Sequence, residues 1–136
     1  MSYLLDTNAC IALINGKPLP VRRRFEKASE GSVAIATSSV VLFELWYGVA
    51  KSARPEANAD RLAVFLAGPV EVIAFDDEDA RLAGQARTAL EAVGTPIGAY
   101  DVLIAGQALR RGSTLVTANA GEFSRVHGLA WEDWAS

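Results

Sequence analysis

Tyr3-Leu4-Leu5-Asp6-Thr7-Asn8 opens the chain as a short apolar run that stops on a carboxylate, at a point where a helix can begin. In open α/β sheets ligands bind at such junctions, in the crevice beyond the carboxyl ends of parallel strands. Packing gives little reason for an aspartate there, because a carboxylate at the rim of a core is costly to desolvate unless it finds a partner or a cation. Asp6 is therefore the first candidate metal ligand. Its competing role is helix N-cap, a position that aspartate favours, but Thr7 can also cap and would leave Asp6 free for chemistry.

Outward from this junction the chain alternates. Residues 2–5 read as a strand, 7–15 as a helix ended by Gly16, and 19–29 as a second helix. Residues 32–36 read as a short strand, after which Thr37, Ser38 and Ser39 offer cap hydroxyls to a helix reaching about Lys51. A helix over 57–66, a break at Gly68-Pro69 and a strand over 71–75 follow. Asp76-Asp77-Glu78-Asp79 supplies the acidic first turn of a long helix ending near Gly94. A helix over 99–111, a strand over 114–117, a turn or short helix at 121–125 and a strand at 129–132 complete the pattern. Such alternation predicts an α/β fold with parallel βαβ units and one sheet covered on both faces. With no repeat and no linker-like stretch, the 136 residues form one domain, 1–136. Right-handed crossovers gather the carboxyl ends of the strands at one edge, so acids far apart in sequence can converge.

Composition limits the function classes. Hydrophobic residues at 51% and charged residues at 21% exclude a disordered chain. Charges interrupt every apolar run before the ~18 to 20 residues of a membrane span, and no basic-then-apolar leader opens the chain, so a cytoplasmic protein is expected. The single cysteine, Cys10, sits among apolar neighbours and reads as a small core residue in a reducing compartment. A net charge of -3 argues against binding nucleic acid by bulk charge. Local basic clusters exist at Arg22-Arg23-Arg24 with Lys27, at Lys51 with Arg54, and at Arg110-Arg111. They read first as solvated helix faces and helix ends.

Three further acids stand at junctions like that of Asp6. Glu44 lies within Val40-Val41-Leu42-Phe43-Glu44-Leu45-Trp46-Tyr47, where its helical neighbours are apolar, which favours a partly buried and partnered carboxylate over a solvated one. Trp46 and Tyr47 in the same run read as core side chains. Asp101 opens the apolar helix that follows Pro96-Ile97-Gly98. Thr117-Ala118-Asn119 ends a strand, and Glu122 follows within one helical turn; either Asn119 or Glu122 could equally be an ordinary turn residue. Taken singly these acids suit capping and dipole roles. Taken together, three or four carboxylates without a histidine or cysteine partner suit Mg²⁺ or Mn²⁺ and disfavour zinc. Such a site can activate water and stabilise a phosphodiester undergoing hydrolysis. His127 lies outside the acidic motifs and reads as a surface or packing residue.

Leu4-Leu5-Asp6-Thr7-Asn8, Phe43-Glu44-Leu45-Trp46-Tyr47-Gly48, Asp101-Val102-Leu103-Ile104-Ala105 and Leu115 through Phe123, in that order, resemble PIN-domain nucleases, most of all the VapC-type toxins of toxin–antitoxin pairs. The resemblance extends to Val126 through Trp134 and so covers nearly the whole chain. It implies a three-layer α/β/α domain with a mostly parallel sheet, whose acidic pocket binds Mg²⁺ or Mn²⁺ and cleaves RNA, often structured RNA such as tRNA. Asp6, Glu44 and Asp101 map onto the family's acidic ligands. At the fourth position many members carry Asp where this chain has Asn119, so that acid is either absent or supplied by Glu122. Thr7 and Thr117 would orient the carboxylates, and Asn8 would help hold the pocket. The resemblance further implies a homodimer, inhibition by a cognate antitoxin, and a bacterial cytoplasm.

Two other readings compete. A PIN-like domain that has lost catalysis would serve only as a binding scaffold, a reading that Asn119 leaves open and that the intact Asp6, Glu44 and Asp101 oppose. A receiver-like phosphoacceptor module would need a lysine after a late strand, yet no Lys or Arg follows Thr117 until Arg125.

Overall fold

The computed structural model describes residues 2–136; Met1, the first residue of the expected domain, lies outside them. Five parallel strands, β1 (Ser2–Leu5), β2 (Ala34–Ser38), β3 (Glu71–Ile73), β4 (Thr114–Val116) and β5 (Trp131–Glu132), form one sheet in the order β3-β2-β1-β4-β5. The α/β expectation holds, and every strand pair is parallel. Between the strands run α1 (Thr7–Asn15), α2 (Leu19–Glu30), α3 (Ser39–Lys51), α4 (Pro55–Leu66), α5 (Asp77–Ala92), α6 (Ala99–Arg111) and α7 (Ala120–Phe123). The chain steps from β1 to β2 to β3 in one direction and from β3 back past β1 to β4 and β5 in the other. Right-handed crossovers therefore put α1 to α4 on one face and α5 and α6 on the other. The contacts agree, with α1 touching α2, α3 and α4 while α5 packs along α6. No described helix is long and apolar enough to cross a membrane.

β1 is central and its Leu4 and Leu5 are fully buried, with Leu115 and Val116 beside them on β4. β2 begins two residues later than expected, because register pairs Ser2 with Ala34 and Leu5 with Thr37, carrying the strand through Thr37 and Ser38. These two polar residues are fully buried yet satisfied. Thr37 donates to the Leu5 carbonyl at 2.9 Å, and the Ser38 hydroxyl accepts from Val40 N at 3.0 Å as the cap of α3. Cys10 is a core residue as expected; burial pushes its thiol up to about 12, and its only donation is to Thr37 Oγ1.

One expectation for α3 fails. Trp46 and Tyr47 are not core: they are 45% and 59% exposed, beside Phe43 at 53%. A helix buries only one stripe, and on α3 the buried positions are Val41 and Leu45, one turn apart. Val40 and Val49 flank that stripe partly buried, and Phe43, Trp46 and Tyr47 are left on the outer face. Of the basic clusters, Arg110 and Arg111 do end α6, but they also reach Asp76 and the fully buried Asp79 at 3.4–3.9 Å. Gln107, also fully buried, donates to Asp79 Oδ2 and to the Ala74 carbonyl, tying α6 to the start of α5.

The α5–α6 contact depends on a missing side chain. A Cβ on Gly106 would lie 2.5–2.6 Å from the backbone and Cβ of Ala83, so the two helices touch through backbone there. Gly106→Ala is expected to lower stability by ~1–3 kcal/mol through overpacking. Gly84, also helical but with nothing within 4 Å of an added Cβ, should instead gain up to ~1 kcal/mol as Gly84→Ala. Urea denaturation of both variants checks the pair; equal effects would contradict the close helix contact.

Candidate active site

The strand order reverses between β1 and β4, which makes the crevice beyond their carboxyl ends the switch point of the sheet. Leu5, Val116 and Glu132 lie in one register row across β1, β4 and β5. The first residues past that row are Asp6, Thr117 and Asp133.

Asp6 is 4% exposed, and its Oδ1 accepts from Ala9 N at 2.8 Å. It is the N-cap of α1, which corrects the expectation that Thr7 would fill that role. The cap is the last residue with extended backbone, and at Asp6 φ is -80° and ψ 178°, whereas Thr7 is already helical. Capping does not remove Asp6 from the crevice, since a carboxylate has a second oxygen. Burial holds the Asp6 carboxyl above its ordinary value; the Thr117 hydroxyl and the Ala9 amide oppose that rise, while the charges of Glu44 and Asp133 add to it. Thr7, freed from capping, donates to Glu44 Oε1 at 2.6 Å and so fixes the partly buried Glu44 across the α1–α3 junction.

Asp101 enters from the first turn of α6. Burial pushes it up to about 7, and a hydrogen bond to Glu122 with the charges of Glu122, Glu44 and Asp6 adds to the rise. Burial first, and then the nearby acids, thus favour the protonated form of Asp101. Asn119 Nδ2 donates to Glu122 Oε2 at 2.7 Å, and Asn119 N donates to Thr117 Oγ1 at 2.9 Å. Asn119 and Glu122 are consequently partners rather than rivals for one position: the amide aims the carboxylate. Asn8 is exposed, and among the described residues no hydrogen bond ties its side chain to the carboxylates. His127 is exposed, away from the acids.

Asp133 was missed from the sequence. The signal was present in its position immediately after the last strand, where Asp6 stands after the first, but that strand is two residues long and its exit is hard to read.

The donor set is oxygen only, which suits a hard divalent cation. Among the described residues no three His, Cys, Asp or Glu side chains are drawn together as a ready-made cage.

A parallel α/β domain with carboxylates from four elements meeting at its switch point is a phosphodiester-handling architecture rather than a receiver-like one. Residues 3–129 match the PIN domain, and the chain belongs to the PIN-domain family, within its VapC ribonucleases. It is 43% identical over 135 residues to the tRNA(fMet)-specific endonuclease VapC of Shigella flexneri, covering 99% of each chain. It is 42% identical over 134 residues to Ribonuclease VapC2 of Rickettsia felis, covering 98% of each. Among solved structures, VapBC2 from Rickettsia felis bound to a DNA fragment from their promoter superposes with a TM-score of 0.92 at 41% identity, over 98% of this chain and 99% of that one. VapBC-1 from nontypeable Haemophilus influenzae gives 0.89 at 29% identity over 100% of both.

The Asp101 carboxyl has a signed consequence for stability. Its folded value of about 7 exceeds its ordinary 3.8, so between these limits the native state binds more protons than the unfolded one. Stability falls as pH rises through that window. Asp101→Asn should flatten the thermal-midpoint profile between pH 4 and 7 and raise the midpoint above pH 7 without added divalent cation; an unchanged profile would contradict the raised Asp101 carboxyl. A Cβ on Gly98 would stand 3.0 Å from Asp101 Oδ2, so Gly98→Ala should displace that carboxylate and lower catalysis more than stability, measured as turnover against melting temperature.

Proposed function

We propose that this VapC-family ribonuclease hydrolyses phosphodiester bonds of structured RNA, tRNA foremost, at a Mg²⁺- or Mn²⁺-loaded pocket made by Asp6, Glu44, Asp101 and Glu122. The observation that carries the proposal is the set of acids at the switch point of the sheet, with Asp6, Glu44 and Glu122 each held by a hydrogen bond from Ala9, Thr7 and Asn119 and with Asp101 on the first turn of α6. A divalent cation there would neutralise the charge of the phosphate and its carboxylates and make a nearby water more acidic. The residues of the chain do the rest. Glu44 is fixed by the Thr7 hydroxyl, Asp6 by the Ala9 amide, and Glu122 by the Asn119 amide, so the acidic oxygens need little reorganisation when substrate arrives. As water attacks phosphorus and the bond to the leaving strand breaks, a pocket carboxylate that the cation leaves free accepts the water's proton. The close identity to a tRNA(fMet)-specific endonuclease supports tRNA as the substrate.

Two partners belong to the same proposal. One is a cognate antitoxin, supported by the structural relatives, which are VapBC complexes. An apolar groove of about 280 Å³ between α1, α3 and α4, lined by Ile11, Ile14, Leu45, Val49 and Leu62 and reaching Glu44, suits a segment that blocks the pocket. The other is a second copy, seated on the exposed Phe43, Trp46, Tyr47 and Tyr100; the Phe43 and Tyr100 rings already pack at 5.6 Å. A bacterial cytoplasm is the expected location.

Asp6→Asn and Glu44→Gln should each lower tRNA cleavage by at least ~100-fold at saturating Mg²⁺ while the far-ultraviolet circular dichroism is retained. Gel analysis of tRNA incubated with each variant checks this. Equal cleavage by wild type and Asp6→Asn would sink the catalytic assignment and leave the binding-scaffold reading. Trp46→Glu with Tyr47→Glu should convert a dimer to a monomer by light scattering.

A further inference from the structure

Beside the acidic pocket, on the side of Asp6 away from Glu44, lies a slot of about 160 Å³. Its depth is apolar, with Ala12, Val21 and Trp134 among its walls, and its mouth carries three polar groups, Asn8, Thr117 and Asp133. The three come from neighbouring positions at the carboxyl edge: α1 after β1, the exit of β4 and the exit of β5. Thr117 is already engaged by Asn119. Asp133 uses Oδ1 to accept from Ala135 N at 2.9 Å, and among the described residues its Oδ2 accepts no hydrogen bond. Asn8 keeps its amide exposed. The Asp133 charge is felt at Asp6, which places the mouth of the slot next to the pocket. The slot has room for a single ring, a base or a ribose, with polar groups beside it.

We infer that the slot receives one nucleoside of the RNA strand held at the acidic pocket, with Asp133 accepting from that nucleoside's hydrogen-bond donors and Asn8 completing the rim. The inference rests on the nuclease reading and adds to it a specificity residue outside the four catalytic acids. A carboxylate accepts and cannot donate, so it favours a group that presents O–H or N–H. In a nucleoside these donors are the ribose 2′-hydroxyl and the amino or imino N–H of the base. Proteins tell RNA from DNA through the first, and read extruded bases within apolar walls through the second. A protein side chain of a bound partner could also fill the slot, but Thr117 in its wall stands beside Asp6 just past the paired Leu5 and Val116, which favours a strand held at the pocket.

The test uses the intact protein with Ca²⁺ in place of Mg²⁺, so that the carboxylates are neutralised while cleavage is suppressed, and reads fluorescence anisotropy with three labelled probes: a short single-stranded RNA, its DNA twin, and the same RNA with single abasic ribose substitutions. Wild type should bind the RNA about tenfold more tightly than either the DNA twin or one abasic probe, as expected for one charge-assisted hydrogen bond. The probe that loses affinity identifies sugar or base as the donor. Asp133→Asn and Asp133→Ala should abolish that preference while affinity for the weaker probe and the melting temperature stay as in wild type. A uniform change across all probes would show that Asp133 acts only through its charge and would overturn the subsite, as would an unchanged preference. Cleavage of tRNA by wild type is assayed separately: cleavage without any probe preference defeats the subsite alone, whereas absence of both binding and cleavage defeats the nuclease reading beneath it.

Discussion

The Asp6 carboxylate, buried at the end of the central strand, is the constraint around which the rest of the molecule is arranged. One oxygen closes the N-terminus of α1 through Ala9, which makes the charge tolerable in a nearly dry position and fixes the direction in which α1 leaves the sheet. That direction puts Thr7 against Glu44 on α3, and so couples the first crossover to the second. A residue at position 6 with no side-chain acceptor would relieve the burial of charge and would also free α1, so fold and pocket share one side chain. The other carboxylates add to the strain of charge rather than relieving it, a condition that a divalent cation resolves.

The two faces of the sheet contribute differently. On the α1–α4 face, short polar side chains join neighbouring elements: Thr7 links α1 to α3, Thr37 links β2 to β1, and Ser38 caps α3 at the end of β2. On the other face, α5 and α6 meet through backbone at Gly106 and through the buried Asp79–Gln107 pair, with Arg110 and Arg111 alongside. The result is a rigid mount for α6, whose first turn carries Asp101. Catalytic precision of this kind comes from the supporting shell as much as from the acids themselves.

Much of this was legible in the sequence because its signals are local. The α6 helix over 99–111 was bounded by Gly98 and Gly112, and the α/β class followed from simple alternation. Asp6 was collected from a strand exit, and Glu44, Asp101 and Glu122 from acids standing among apolar neighbours or at the start of a helix, features that a sequence displays directly. What failed were properties set by neighbours. The cap of α1 depends on which of two adjacent residues keeps extended backbone, and the sequence Asp6-Thr7 allows either. The face of α3 that is buried depends on what packs against it, so a helix apolar all round conceals the exposure of Trp46 and Tyr47. The cooperation of Asn119 with Glu122 and the position of Asp133 depend on turn geometry and on a two-residue strand, neither of which has a periodicity to read.

The Asp101 carboxyl is held up to about 7, so a divalent cation entering the pocket near neutral pH would displace a proton. Calorimetric titration of Mg²⁺ at pH 6.5, repeated in two buffers of different ionisation enthalpy, measures that exchange directly. The account predicts saturable binding with release of about one proton per Mg²⁺, since a carboxyl poised near neutrality must give up its proton to become a ligand or its neighbour. Binding without proton release, or no binding at millimolar Mg²⁺, would contradict it.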